Sequence, residues 1–172
     1  MSESISSVNE SADAPRPDPV PVVPESGVLL GIDYGTKRVG VAVSDRDQKY
    51  SSPLHNHERH GAQVDARFFR KVVEEYRPVE LVIGLPIHLS GDESEKSREA
   101  RLFANWLGTT TGLPFTFQDE RFTSFQAEKL LMAAELSPKK RKERRDKLAA
   151  QILLQTFLDA RMAMKQAPSG ES

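Results

Sequence analysis

Two apolar runs, Val28–Asp33 and Val39–Ser44, stand five residues apart, a gap that admits a tight turn and little else. Neighbouring antiparallel strands need only such a link, whereas parallel ones need a long crossover. The first run ends on Asp33, within Gly31-Ile32-Asp33-Tyr34-Gly35-Thr36-Lys37-Arg38-Val39-Gly40. A carboxylate that continues a buried strand is costly unless cations or hydrogen-bond donors offset it. Lys37 and Arg38 follow at once, and the glycines allow a tight turn and the close approach of a ligand. This grouping suits a metal ion and a phosphate. The plain alternative is a hairpin whose Asp33 only caps the turn.

The rest of the chain alternates between the two periodicities. Lys49–Asn56 reads as a third strand, completing a meander. Over Ala62–Arg77, Val64, Phe68, Val72 and Tyr76 fall on one helical stripe beside Phe69 and Val73, with Pro78 as the stop. Val79–Ile83 is a continuous apolar run ended by Gly84-Leu85-Pro86, as in a strand covered on both faces. Ser94–Thr110 reads as a helix with Ala100, Phe103, Ala104 and Leu107 inward and Trp106 as a core or interface anchor. Phe115–Gln118 is a short strand, and Thr123–Leu136 a helix opened by the spacing Thr123…Gln126. A basic loop and a last helix, Asp146–Met164, close the domain. Three strands followed by α-β-α-β-α-α predict an α/β fold: a mixed five-stranded sheet, an antiparallel meander then parallel strands, with helices on both faces.

Residues 1–26 carry five acids, one arginine and five prolines, a composition that cannot bury enough apolar surface to order itself. We read 1–26 as a disordered acidic tail, 27–164 as one domain, and 165–172 as a second frayed end. The tail also hides a charge split. The whole chain has 24 basic and 25 acidic residues, but beyond residue 26 the count is 23 to 20, formally +3. No apolar run approaches the roughly 18–20 residues of a membrane span, and no signal peptide or membrane partner is expected. With no cysteine, disulfides and thiolate metal sites are excluded. The cytoplasm is the expected location.

Further constellations join Asp33. Gln118-Asp119-Glu120-Arg121 closes the last strand, and Asp146 shares a helical face with Ala149, Ala150, Leu153 and Phe157. Acids at a helix start often serve only the dipole. Three acids at strand ends and a helix start could instead converge on one cation, and an all-oxygen set selects Mg²⁺ or Mn²⁺ over zinc. Such sites carry out displacement at phosphorus. Pro138–Lys147 holds seven basic residues in ten, which places Lys139, Lys140, Arg141 and Lys142 at the mouth of that site, where they suit a phosphate backbone. The glycine spacings fit neither a dinucleotide fingerprint nor a P-loop. His55, His57, His60 and His88 lack zinc spacing and read as surface residues.

Taken together, these segments resemble the YqgF family, whose members carry the names pre-16S rRNA nuclease and Holliday junction resolvase. The resemblance spans about residues 27–164 and rests on four motifs in order: Gly31–Gly40; Val82-Ile83-Gly84-Leu85-Pro86 with Gly91; Asp119-Glu120-Arg121-Phe122-Thr123-Ser124; and Asp146-Lys147-Leu148-Ala149-Ala150 before Ile152-Leu153-Leu154. It implies an RNase H-like fold and metal-dependent hydrolysis of phosphodiesters in structured nucleic acid. It also implies that the acidic positions are Asp33, Glu120 and Asp146. Related RNase H-like nucleases place a carboxylate at the end of the fourth strand. Here Gly84-Leu85-Pro86 stands there, so Asp119 or Glu120 must substitute.

We expect Lys37, Arg38 and Arg121 to steady the scissile phosphate, and Lys139, Lys140, Arg141 and Lys142 to grip the flanking backbone. Processing of the 5′ end of pre-16S rRNA is the expected reaction, with resolution of four-way DNA junctions as the alternative, by a monomer or homodimer. A non-catalytic RNA-binding module is the alternative of a different class, which three acids disfavour because carboxylates repel phosphates unless metal intervenes. An actin-like phosphotransferase would need a second lobe, and only one Asp-x-Gly, Asp33-Tyr34-Gly35, is present.

Overall fold

The computed structural model describes residues 22–87, 90, 93–122 and 137–167, without side chains for 122, 141–143 and 145–147. Strands β1 (Leu29–Asp33), β2 (Arg38–Ser44) and β3 (Ser51–Glu58) form the antiparallel meander. β4 (Glu80–Leu85) adds parallel to β1 and β5 (Phe115–Asp119) parallel to β4, giving the order β3-β2-β1-β4-β5. Helices α1 (Ala62–Tyr76) and α2 (Glu95–Thr111) cover one face, and α3 (Pro138–Gln166) lies on the other. The α/β reading with helices on both faces holds.

Two cores follow from the period-2 alternation of the strands. Leu30, Ile32, Val39, Val41, Leu81 and Ile83 meet Phe69, Val72, Phe103 and Leu107 of α1 and α2. Leu29, Ala42 and Val82 meet Ala150, Leu153, Leu154 and Leu158 of α3. Each large apolar side chain buried this way contributes about 1.5–3 kcal/mol. The sheet is thus pinned from both sides, and its strand ends are held rigidly enough to carry a site.

Local stops agree with the sequence. α1 ends where Arg77 takes a left-handed conformation (φ 47°), and α2 starts on the Ser94 cap and ends at Gly112 (φ 71°). β3 begins two residues later than its composition suggests. Asp45 Oδ1 accepts from the backbone N–H of Lys49 and Tyr50, at 2.7 and 3.1 Å, and Gln48 turns at φ 55°, so this stretch is a turn.

The basic run is not a loop. Ser137 caps a helix whose first turn contains Pro138, so Pro138–Lys147 forms the opening turns of α3. The run lacks apolar residues, but Lys, Arg and Glu are good helix formers and Pro is favoured at the first position. Asp146 consequently lies well inside α3, not at its start. The helix predicted over Thr123–Leu136 lies outside the described residues.

Residues ahead of position 27 also touch the domain. Val23 packs against the α3-side core. Arg161 donates to the carbonyls of Val23 and Pro24 at 3.1 and 3.3 Å, and Gln48 Nε2 donates to the Pro24 carbonyl at 3.0 Å. Among the described residues no helix is long and apolar enough to cross a membrane.

Candidate active site

Asp33 ends β1, directly opposite Gly40 of β2, which in turn pairs with Asn56 of β3. On the other side the β1–β4 register, Ile32 with Ile83, brings Asp33 beside Gly84, and Gly84 pairs with Gln118 of β5. Asp33 is therefore flanked by glycine on both neighbouring strands, on the face covered by α3.

Each glycine is explained by what approaches it. A Cβ at Gly40 would lie 3.3 Å from the Ala150 Cβ and 3.5 Å from the Asp33 Cβ. A Cβ at Gly84 would collide with Glu120 Oε1 and with Leu153 Cδ1. Glu120 opens the short 3-10 turn Glu120–Phe122 that follows β5, and its carboxylate lies over Gly84, towards Asp33. The missing side chain on the fourth strand is what admits a carboxylate from the fifth.

The electrostatics of the two acids follow from this proximity. Burial, then the charges of Asp33 and Asp119, push the Glu120 carboxyl up to about 7, with Lys96 opposing. Asp119 has a different engagement. The Arg121 guanidinium grips it through Nε at 2.8 and 3.1 Å and through a second nitrogen at 2.5 Å, and the Arg121 N–H donates at 2.9 Å. These bonds hold the Asp119 carboxyl below its ordinary value. Of the acidic pair, Glu120 joins Asp33, and Asp119 holds Arg121.

The third predicted acid belongs to α3. Ala150 touches Gly40, and Ala150 with Leu154 lies over Gly31, so α3 runs antiparallel to β1. Position 146 is one helical turn before Ala150, at the register of the Asp33 end of the strand. The Asp146 side chain is outside the described residues, as are those of Arg141 and Lys142. Among the described residues no cluster of three or more His, Cys, Asp or Glu forms a metal site. Asp33 and Glu120 supply hard oxygen donors, and the Asp33 charge disfavours that of Glu120, which fits a divalent cation.

Lys37 and Arg38 share with Asp33 a cleft of about 520 Å³ that also takes in Thr36, Asn56 and Glu58. Asn56 and Glu58 were not singled out from the sequence. A register shift between Val41 and Ala42 in the β2–β3 pairing decides which β3 residues face Asp33, and strand composition carries no trace of it. Lys139 and Lys140 are exposed on the first turn of α3. His57 is not a surface residue: it stacks on Phe68 (centroids 3.9 Å) and bonds the fully buried Asp65 at 2.9 Å. Trp106 packs against Phe69 and Phe103, as expected of an anchor.

The same architecture is found in solved structures. Thermus thermophilus RuvC, in complex with a Holliday junction substrate, superposes with a TM-score of 0.51 at 17% identity, covering 80% of this chain and 96% of that one. The yeast mitochondrial Holliday junction resolvase Ydc2 gives 0.50 at 13%, covering 86% and 83%. These likenesses show the fold: a mixed five-stranded sheet of the RNase H-like class. The chain belongs to the RuvX family, whose profile, described as Holliday junction resolvase, matches residues 27–160. A Rhodopirellula baltica protein named "Putative pre-16S rRNA nuclease" is 45% identical over 137 residues, 80% of this chain and 79% of its own. A Koribacter versatilis protein of the same name is 40% identical over 142 residues, 83% and 93%.

Proposed function

We propose that this protein is a divalent-metal-dependent nuclease that processes the 5′ end of pre-16S rRNA in the cytoplasm. The observation that carries the reading is the Glu120 carboxylate lying over Gly84 beside Asp33. Two acids forced together in a half-buried site repel any phosphate unless a cation intervenes. The names of the relatives supply the RNA substrate.

Asp33 and Glu120, with Asp146 from α3, would hold Mg²⁺ or Mn²⁺. Divalent metal held there would supply an activated water and charge stabilisation at the leaving oxygen. Lys37 and Arg38 line the cleft beside Asp33 and draw the scissile phosphate in. Arg121, oriented by its bidentate hold on Asp119, adds a further cation. Lys139, Lys140, Arg141 and Lys142, on the opening turns of α3, take the flanking backbone. One set of acids cuts one strand, so trimming is open to a monomer, whereas paired cuts in a junction call for a homodimer.

The test is cleavage of a precursor rRNA fragment and of a four-way DNA junction, side by side in Mn²⁺. We expect the RNA to be trimmed, EDTA to abolish cutting, and Asp33→Asn to lower the rate at least about 10²-fold. Paired cuts in the junction with intact RNA would replace this reading by the resolvase. Cutting of neither, with tighter binding by Asp33→Asn, would leave a binding module.

A further inference from the structure

The residue after Asp33 opens onto the other face of the sheet. Tyr34 packs on Phe103 (4.9 Å between centroids), Phe103 on Trp106 (5.5 Å), and the Arg59 guanidinium lies over the Tyr34 and Phe103 rings at 5.5 and 5.2 Å. These residues line a cleft of about 310 Å³. Across Ala62 and Trp106 it joins a second cleft of about 370 Å³, lined by Arg67 and Arg70 and running between α1 and α2. Arg70 donates to the Thr110 carbonyl at 3.4 Å, which anchors its guanidinium at the far end.

We infer that this α1–α2 groove holds the unpaired RNA strand that flanks the scissile phosphate. The inference rests on the nuclease reading and names the form of the substrate. Charge favours it: Arg67 and Arg70 line the groove with Arg59, whose charge Asp65 offsets, against one lining acid, Glu99. Chemistry favours it as well, because partly buried aromatic rings with guanidinium groups stack bases of any sequence while the cations track the backbone. So does continuity. The backbone N–H of Arg59 donates to the Lys37 carbonyl at 2.9 Å, which links the groove to the Asp33 cleft. Arg59 is also preorganised, since Asp65 Oδ2 holds its Nε at 3.1 Å. A second copy of the chain fits less well, because a two-fold contact would set the same arginines against each other.

Trp106 is the one tryptophan in the chain, so its emission reports on the groove directly. The full-length protein is titrated in EDTA with a short oligouridylate and with a blunt RNA duplex, while anisotropy of the labelled RNA records total binding. The oligouridylate should quench Trp106 and the blunt duplex should not. Replacing Arg67 and Arg70, both exposed, by Ala should weaken oligouridylate binding about 5–10-fold and lower its salt slope by about 1.4, at about 0.7 per phosphate contact. Quenching that persists in Asp33→Asn supports the groove independently of cutting. Binding with unchanged emission would overturn the proposal. So would an emission change that follows protein concentration in place of RNA, since it would assign the groove to a second copy. Loss of cutting alone would speak against the nuclease reading, and unchanged emission alone against the groove.

Discussion

Gly84 and Glu120 act as a pair, since the hydrogen at one position leaves the space that the carboxylate of the other fills. Gly84→Ala should displace Glu120 and crowd Leu153, because its Cβ meets both. The expected cost is about 1–3 kcal/mol of stability, with near-complete loss of cleavage, read from urea denaturation and the RNA assay. Activity at the wild-type level in Gly84→Ala would show that Glu120 is dispensable. Glu120 also sets a pH dependence. Its folded-state value of about 7 stands above the ordinary 4.5, so between these two the native protein keeps a proton that the unfolded chain has released. Its contribution to stability is complete below the ordinary value and is lost as pH rises through 7. Without metal at about pH 8, Glu120→Gln should therefore be more stable than wild type by about 1–3 kcal/mol. That gain should disappear near pH 4.5. A difference independent of pH would mean that the two acids are not coupled.

α3 carries two tasks along its length, and they pull in different directions. Its second half is a packing element, with Leu153, Leu154 and Leu158 buried against the sheet. Its first turn places Lys139 and Lys140 where the helix dipole favours anions. Cations there do not help the helix, which is consistent with their being kept for an anionic partner. Replacing Lys139, Lys140, Arg141 and Lys142 by Ala should leave the melting temperature unchanged or slightly higher. Affinity for single-stranded RNA should fall, with a salt slope lower by about 3. A clear drop in melting temperature with an unaltered slope would make the run a structural element. This helix also shows where reading by composition fails. Charge density suggested a loop, yet Ser137-Pro138 is a recognisable helix start and carried the better information.

For the molecule as a whole, the attachment of the sheet edge matters as much as the site. Asp65 of α1 is fully buried and accepts from His57, from Arg59 and from the His60 N–H at 3.1 Å, which ties β3 and the following loop to α1. Burial pushes its carboxyl up, but the bonds from His57, His60 and Arg59 outweigh this and hold it below the ordinary value. A lowered carboxyl stabilises the fold above its unfolded value and loses that contribution as pH falls through the folded one. Wild type should thus lose stability below about pH 4 more steeply than Asp65→Asn, as followed by urea denaturation at several pH values. Asp65→Ala should cost about 3–5 kcal/mol near neutrality, since it leaves the buried side of Arg59 and His57 unpaired. Equal acid sensitivity in wild type and Asp65→Asn would remove Asp65 from the account.

Asp65 also marks the limit of pattern reading, for an acid on a helix between apolar neighbours looks solvated until its partners are known. The five strands, α1 and α2, the meander, the buried β4 run and the Asp33 turn were legible in the chain, because periodicity and turn chemistry act between residues close in sequence. The choice between Asp119 and Glu120, the trough that Gly40 and Gly84 leave beside Asp33, and the facing of Asn56 were not. Those depend on strand order, register and the close approach of α3, which bring together groups tens of residues apart, and only the folded sheet decides which of them meet.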